Sequence, residues 1–465
     1  MIDSVTVRSF RAFRAQTFNF RKLNLFIGRN NSGKSSALSA LNLIAQTLRE
    51  DSLDSTPLIL NGQFDSLGTF IDVVNGGLAR TPIGMDLRFQ NYEVRLEYKY
   101  RTQRRQIELT KFELFESGKS VYRYVARKDK YDIWLGGRTF ESVFPAAQKR
   151  RPRFRNFWPV MPGLPRLTTY SSTDDVTQYR KFRELVFEYE LKLSRARASI
   201  NSLFENFDSL SPFRDKPQRT YLYSGETASQ IGSTGSNTAV MLASDASKRG
   251  GERKELVRDV SRWFEATGIA RGLTVKSLTS RHFEIALTSN DGTEHNICDV
   301  GFGCSQVLPV LTAGLNLFAD RESASRSTSE RTLVRMPRRM LVVQEPEIHL
   351  HPNAQAAMGS FFVDLARRGG QLFIETHSDN LVLRVARHVA LGDIDPDDVA
   401  IFYVTDEADK RVTDISIKSD GTFVPEWPGG FFPQRQAESL ELARAAMKSK
   451  DRRSRQLAFR YPEET

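Results

Sequence analysis

The 465-residue sequence predicts an α/β fold with a mixed β-sheet, an antiparallel β-meander and a helical insertion. Three observations predict it. An apolar run at 23–27 ends in a glycine-rich turn and passes into an Ala/Leu-rich stretch, 37–48, with helical periodicity. Short alternating runs such as 92–98 and 107–115 recur between Met85 and Trp134, the pattern of a meander. The last third returns to strand–helix alternation: an apolar run at 340–343, a helix from Asn353, then a second run at 371–374.

The remaining elements follow along the chain. Residues 2–7 alternate apolar and polar and read as a strand. Residues 145–167, rich in Pro and Arg, read as a loop. Phe182, Val186, Tyr189, Leu193, Ala196, Ile200, Leu203 and Phe207 step by alternating fours and threes, a helical seam. A long helix packed on its own domain is favoured over a freestanding coiled coil. Runs at 283–287 and 294–298, joined through Asn290, Asp291 and Gly292, read as a hairpin. Residues 321–332 have the composition of a linker. The expected division is an N-terminal lobe with the glycine turn and meander (1–140), a basic loop with the helical insertion (141–222), a C-terminal lobe (223–400) and a small C-terminal domain (401–465).

Composition narrows the function classes. An apolar share of 40% is enough for one large core or two to three smaller ones, and a charged share of 26% argues against wholesale disorder. Two cysteines, Cys298 and Cys304, build neither a disulfide framework nor a zinc site. The opening MIDSVTVRSF lacks the apolar core of a secretory leader, and no apolar run reaches the ~18 residues of a membrane span. A cytoplasmic protein without membrane contact is expected. The net charge of +11 favours a polyanionic partner, DNA or RNA first, or else simple solvation.

Gly28-Arg29-Asn30-Asn31-Ser32-Gly33-Lys34-Ser35 matches the phosphate-loop pattern in full, between an apolar strand and a helix that continues through Ser36. Its glycines turn backbone N–H groups onto a phosphate at a helix N-terminus. Lys34 is placed to reach the β- and γ-phosphates of ATP, and the Ser35 hydroxyl to ligate Mg²⁺. The sequence therefore predicts a P-loop NTPase. Such a loop needs an acidic partner on a neighbouring strand, and Gln344-Glu345-Pro346-Glu347 follows the apolar run at 340–343. Glu345 is the expected base that polarises the attacking water. Gln344 stands where an Asp is usual; its amide can hold a magnesium-bound water but supplies no charge. His377, in Ile374-Glu375-Thr376-His377-Ser378, is placed to sense the γ-phosphate. Asp299 to Gln306 opens an apolar helical stretch with Gly301, Gly303, Ser305 and Gln306 at its start. This is either a second anion site, covering a γ-phosphate held by a partner subunit, or a structural turn.

Together these motifs, in the order GRNNSGKS, GFGCSQVLP, VVQEPEIHLHP and IETHS, resemble the ABC-type ATPase heads of the structural-maintenance-of-chromosomes and overcoming-lysogenization-defect families. EPEIHLHP, the opening Ser9-Phe10-Arg11-Ala12-Phe13 and the segment 212–221 with Arg214 and Arg219 resemble a compact bacterial branch of AAA-type ATP-binding proteins. Asp420-Gly421 followed by Trp427 and residues 428–432 resemble an uncharacterised terminal domain of that branch. The resemblance implies that Gly28 to Ser35 bind ATP and magnesium, that Glu345 is the catalytic base and that His377 is the switch histidine. It further implies that Gly303, Ser305 and Gln306 belong to the signature acting in trans, that His351 lies in the subunit-crossing loop, and that Gln63 is a magnesium-touching glutamine. His349 and His351 lack a third ligand and make a poor zinc site.

The interval from Lys34 to Glu345 holds one heptad-bearing helix, which argues against chromosome tethering. Asp393, Asp395, Asp397 and Asp398 read as a solvated loop rather than a nuclease centre. Lys149, Arg150, Arg151, Arg153 and Arg155 interleave with Phe154, Phe157 and Trp158, either to grip and stack nucleic acid or as a loop anchored by its aromatics. Arg335, Arg338, Arg339, Arg452, Arg453 and Arg455 could extend such a surface. The expected function is an ATP-hydrolysing switch, a dimer or multiple of dimers, that serves a separate effector such as a nuclease or toxin in anti-phage defence. A repair ATPase acting on DNA and a low-turnover ATP-holding scaffold are the alternatives.

Overall fold

The computed structural model describes residues 1–50, 56–127, 130–139, 152–160, 173–248, 255–317, 339–407, 411–427 and 441–442. Its centre is a seven-stranded mixed sheet in the order β12-β17-β18-β3-β19-β20-β21, numbered along the chain. These strands are β3 (Leu23–Gly28), β12 (Asn206–Leu210), β17 (Arg339–Gln344), β18 (Gly370–Glu375), β19 (Val399–Val404), β20 (Val412–Ile417) and β21 (Phe423–Val424). The first five in the sheet order run parallel, and β20 returns antiparallel to β19.

Near-continuous apolar runs are what a parallel sheet covered on both faces requires. In β17, Met340 and Val342 enter one core while Leu341 and Val343 enter the other. The first core is shared with α1 (Lys34–Arg49) and an eight-stranded antiparallel sheet; the second with α6 (Phe302–Asn316), α7 (Pro352–Arg367) and α8 (Asp379–Ala390). Sequence and architecture agree on a P-loop NTPase fold.

The antiparallel sheet is larger than the sequence signal between Met85 and Trp134. It runs β2-β1-β4-β5-β6-β7-β8-β9, built from β1 (Ile2–Phe10), β2 (Phe13–Asn19), β4 (Ile83–Phe89), β5 (Tyr92–Arg101), β6 (Gln106–Glu116), β7 (Lys119–Ala126), β8 (Tyr131–Leu135) and β9 (Arg138–Thr139). The opening strand joins by pairing Val5 with Leu87, a long-range match that local periodicity does not encode. The short α2 (Phe70–Val73) lies between the two parts. The helical insertion is α3 (Thr173–Phe204), whose seam residues Val186, Leu193, Ala196, Ile200 and Leu203 are buried in the first core; Phe207, the expected last residue of the seam, lies beyond the helix on β12. It is a long helix packed on its domain. The Phe182 side chain and residues 321–332 lie outside what is described.

A smaller four-stranded sheet holds β13 (Tyr221–Leu222), β14 (Gly272–Ser277), β15 (His282–Thr288) and β16 (Glu294–Asn296), flanked by α4 (Thr238–Ser247) and α5 (Glu255–Thr267). The expected hairpin is present, with Thr288 opposite Glu294 and Gly292 at φ +91° in its turn. The expected boundary at 400/401 falls inside β19, which pairs directly with β3, so the described part of the C-terminal region extends the central sheet. Trp427 is buried against Tyr403 and Phe423; residues 428–432 lie outside the described set.

On β12, Asp208 accepts a hydrogen bond from the Ile231 N–H at 2.9 Å. Burial pushes its carboxyl up to about 6, against the opposing effects of Ile231, Arg49 and Ser209. A carboxyl whose folded pKa exceeds its unfolded value favours the fold when protonated, and that advantage is lost as pH rises from about 4 to about 6. Asp208→Asn should therefore be more stable than the native chain at pH 8, by an amount on the order of 2 kcal/mol, and the gain should shrink at pH 4. Melting curves at the two pH values decide it; an equal gain at both rules out titration of Asp208 as the cause.

Candidate nucleotide site

The phosphate loop leaves β3 at Gly28 and enters α1 at Lys34. Two glycines are sterically required. At Gly28 a Cβ would lie 2.0 Å from the Val404 carbonyl oxygen of β19; at Gly33, with φ +111°, it would lie 2.6 Å from the Ala12 Cβ. Asn31 also adopts a left-handed φ of +63°. Gly33 is the N-cap of α1 and offers no side-chain cap, so the first helical turn presents its N–H groups to an anion. A cleft of about 440 Å³ opens there, lined by Asn31, Gly33, Lys34, Ser35 and Ser36 together with Arg11, Asp72, Glu375 and Arg411. Asn30 is exposed on the loop, and Ser32 is buried with no hydrogen-bond partner for its Oγ.

Lys34 is almost fully buried, and its ammonium donates to the carbonyls of Gly28 (3.1 Å) and Arg29 (2.8 Å). Burial lowers its pKa, while Glu375, Glu345 and Glu347 pull the other way. Glu375, at the end of β18, accepts a hydrogen bond from the Ser35 hydroxyl at 3.0 Å and lies 3.9 Å from the Lys34 ammonium. Burial pushes its carboxyl up to about 7.

Glu345 follows β17 with φ +47°, a left-handed conformation that costs a non-glycine residue about 1 kcal/mol or more. Its N–H donates to the Glu375 carbonyl at 2.8 Å, which ties the ends of β17 and β18 together. Its carboxylate lies 3.7 Å from His377 Nε2. Burial, helped by Lys34, pushes His377 down to about 4, so the ring is neutral near pH 7 and the contact is no ion pair. A neutral imidazole can still donate one hydrogen bond to a phosphate oxygen. The His377 N–H donates to Glu347 at 2.5 Å, which fixes the strand end. Arg214, buried and pushed down to about 10 by that burial, donates to the carbonyls of Gln344 (2.7 Å) and Glu345 (3.4 Å). The structure thus joins Lys34, Ser35, Glu345 and His377, and adds Glu375 and Arg214, to which sequence reasoning gave no catalytic part. A charged residue closing the apolar run 372–374 was the available signal for Glu375.

Other expectations are corrected. Gln63 sits beside the Arg49 guanidinium in the last turn of α1. That is roughly 20 Å along the helix from Ser35 at 1.5 Å per residue, too far to touch the same magnesium. Ser305 and Gln306 are buried; the Ser305 hydroxyl donates to the Phe302 carbonyl at 2.8 Å. In the single chain these side chains are held at the start of α6, where Ser305 lines a small pocket with Ser236 and Pro309. The outward part of this helix tip is Gly301 and Phe302, with the Phe302 ring 5.1 Å from the His349 ring, while Gly303 packs so closely that a Cβ there would lie 2.4 Å from the His349 carbonyl oxygen. None of residues 301–306 lines the cleft around Lys34.

In the basic segment, Phe157 and Trp158 are buried in the first core and Phe154 packs edge-on to Tyr124 at 5.0 Å. These aromatics anchor the small hairpin of β10 (Arg153–Arg155) and β11 (Trp158–Val160) and are not free to stack bases. Arg339 is buried. Lys149, Arg150, Arg151, Arg335, Arg338, Arg452, Arg453 and Arg455 lie outside the described residues. Asp398 pairs with Lys22 and Asp393 with His388, so these two acids are structural.

A P-loop NTPase is the class that this fold and this cleft define. The family model described as "AAA domain, putative AbiEii toxin, Type IV TA system" matches residues 23–384, and the chain belongs to that family of nucleotide-binding ATPases. A second model, "Protein of unknown function (DUF3696)", matches residues 394–442. Among curated proteins none matches the sequence. Solved structures similar to the chain include an SMC head bound to the C-terminal winged-helix domain of ScpA, at 12% identity and a TM-score of 0.38, covering 90% of this chain and 98% of that one. The SMC head domain from Thermotoga maritima has 10% identity and a TM-score of 0.35, covering 90% and 99%. An SMC head with an extended coiled coil, bound to the C-terminal domain of ScpA and derived from Pyrococcus furiosus, has 13% identity and a TM-score of 0.37, covering 95% and 99%. No helix among the described residues is long and apolar enough to cross a membrane.

Proposed function

We propose that the protein is an ATP-hydrolysing switch that works as a dimer or a multiple of dimers in bacterial anti-phage defence. In this reading, nucleotide closure signals to a separate effector protein, a nuclease or a toxin. One observation carries it: Lys34 and Ser35 line one cleft together with Glu375, and ligand atoms of Glu345 and His377 lie within 4.8 Å of those of Glu375, while the helix tip at 301–302 does not line that cleft. A second copy that presents this tip would complete the site. The family's toxin–antitoxin description supports a paired partner.

The residues present suit ATP with magnesium. The buried Glu375 Oε2, His377 Nε2 and Ser32 Oγ have no hydrogen-bond partner, and they edge a loop built for phosphate. Bound magnesium would neutralise charge on the β- and γ-phosphates. Lys34 would exchange its two loop carbonyls for phosphate oxygens, Glu345 would accept a proton from the attacking water, and neutral His377 would hydrogen-bond the γ-phosphate.

The neutral amide of Gln344 keeps a second reading alive, in which ATP is held with little turnover. Phosphate release from ATP separates the two. Turnover above that of Lys34→Ala supports the switch, and none above it favours the scaffold. Repeating the assay with DNA and with RNA at low salt tests whether nucleic acid is a trigger; unchanged turnover and no binding remove it from the account.

A further inference from the structure

A P-loop serine needs a carboxylate opposite it to hold the nucleotide's cation, and the end of β17 presents Gln344 instead. The sheet order explains how the chain manages without an acid there. β18 lies between β17 and β3, and its last residue, Glu375, pairs in register with Gln344 on one side and Phe26 on the other. Residue 375 therefore stands one strand spacing, roughly 4.8 Å, nearer the phosphate loop than residue 344. Its side chain already reaches the Ser35 hydroxyl at 3.0 Å.

Three further facts point into the cleft. The Glu375 side chain is 5% exposed, and its Oε2 has no hydrogen-bond partner while Oε1 faces Ser35 and Lys34. Glu375 itself lines the cleft. Candidate ligand atoms of Glu375, Glu345 and His377 lie within 4.8 Å of one another, so a small ion or its waters would touch all three. A carboxyl oxygen this deeply buried with no donor is left unsatisfied until a ligand reaches it.

We infer that Glu375 replaces the missing β17 acid: together with the Ser35 hydroxyl it holds the divalent cation of the bound nucleotide, and Gln344 plays no part in charge balance there. Hard cations such as Mg²⁺ prefer this all-oxygen set completed by phosphate and water. Glu345 stays free for the attacking water.

The inference rests on the nucleotide site proposed above, and its test is built to fail separately from it. Binding of a fluorescent ATP analogue is titrated with Mg²⁺ for the full-length chain and for Glu375→Gln, Glu375→Asp and Glu347→Gln, with melting curves to verify folding. Mn²⁺ uptake in the presence of ATP, followed by its electron paramagnetic resonance signal, gives a readout independent of turnover. Glu375→Gln should bind the analogue without metal as well as the native chain does, yet need about tenfold or more Mg²⁺ to reach its tightest binding. Glu375→Asp should fall between the two, and Glu347→Gln, which removes a nearby buried acid away from Ser35, should stay close to native. An unchanged Mg²⁺ requirement in Glu375→Gln overturns the inference, as does an equal shift in Glu347→Gln. If Glu375→Gln does not fold, the Asp variant decides on the same criterion. No analogue binding by the native chain would instead sink the nucleotide site itself.

Discussion

Lys34→Ala should lower ATP affinity by about 100-fold or more and abolish turnover, while leaving the melting temperature close to native. The ammonium is the one buried cation of the described loop, and two charge-assisted hydrogen bonds to phosphate are worth roughly 1.5–3 kcal/mol each. In the nucleotide-free chain the same ammonium bonds the carbonyls of Gly28 and Arg29. Lys34 itself lines the cleft, so water can enter and replace the lysine at those carbonyls after truncation. Isothermal titration with ATP and Mg²⁺ measures the effect. Affinity within about threefold of native would mean that the triphosphate is not held by this loop.

Glu345→Gln should have the opposite character. ATP binding is kept, turnover falls by about 10²-fold or more, and dimers accumulate in the presence of ATP and Mg²⁺. The amide preserves shape and the backbone bond to Glu375, but it cannot take a proton from water. Its left-handed φ of +47° is unaffected by a change at the end of the side chain. Light scattering with and without ATP, beside a phosphate-release assay, reads both halves. Native-like hydrolysis by this variant would remove Glu345 as the base.

Much of this site was legible because its parts are local. The phosphate loop, the acidic end of β17 and the histidine after β18 are each a strand end plus a few residues, and a strand end fixes where the next side chains emerge. What depended on the path between motifs was not legible. Gln63 has a plausible sequence neighbourhood, yet the chain returns it to the far end of α1 beside Arg49. Phe157 and Trp158 look like a stacking platform beside arginines, and only packing reveals that they are core. The strand β19 crosses an expected boundary because its partner, β3, is far away in sequence. Glu375 was visible within the IETHS motif, but its role depends on knowing that β18 lies between β17 and β3.

The proposed switch requires two copies to share each nucleotide, and a mixing experiment tests that most directly. Lys34→Ala spoils the loop. Gly301→Glu spoils the helix tip without disturbing the fold, since a Cβ there meets nothing within 4 Å. Each variant alone should be silent in phosphate release. Mixed under conditions that exchange subunits, they should regain about a quarter of native turnover, because half of the dimers then carry one intact loop facing one intact tip. A mixture as silent as its components, or full activity of Gly301→Glu by itself, would contradict a site completed by the second subunit.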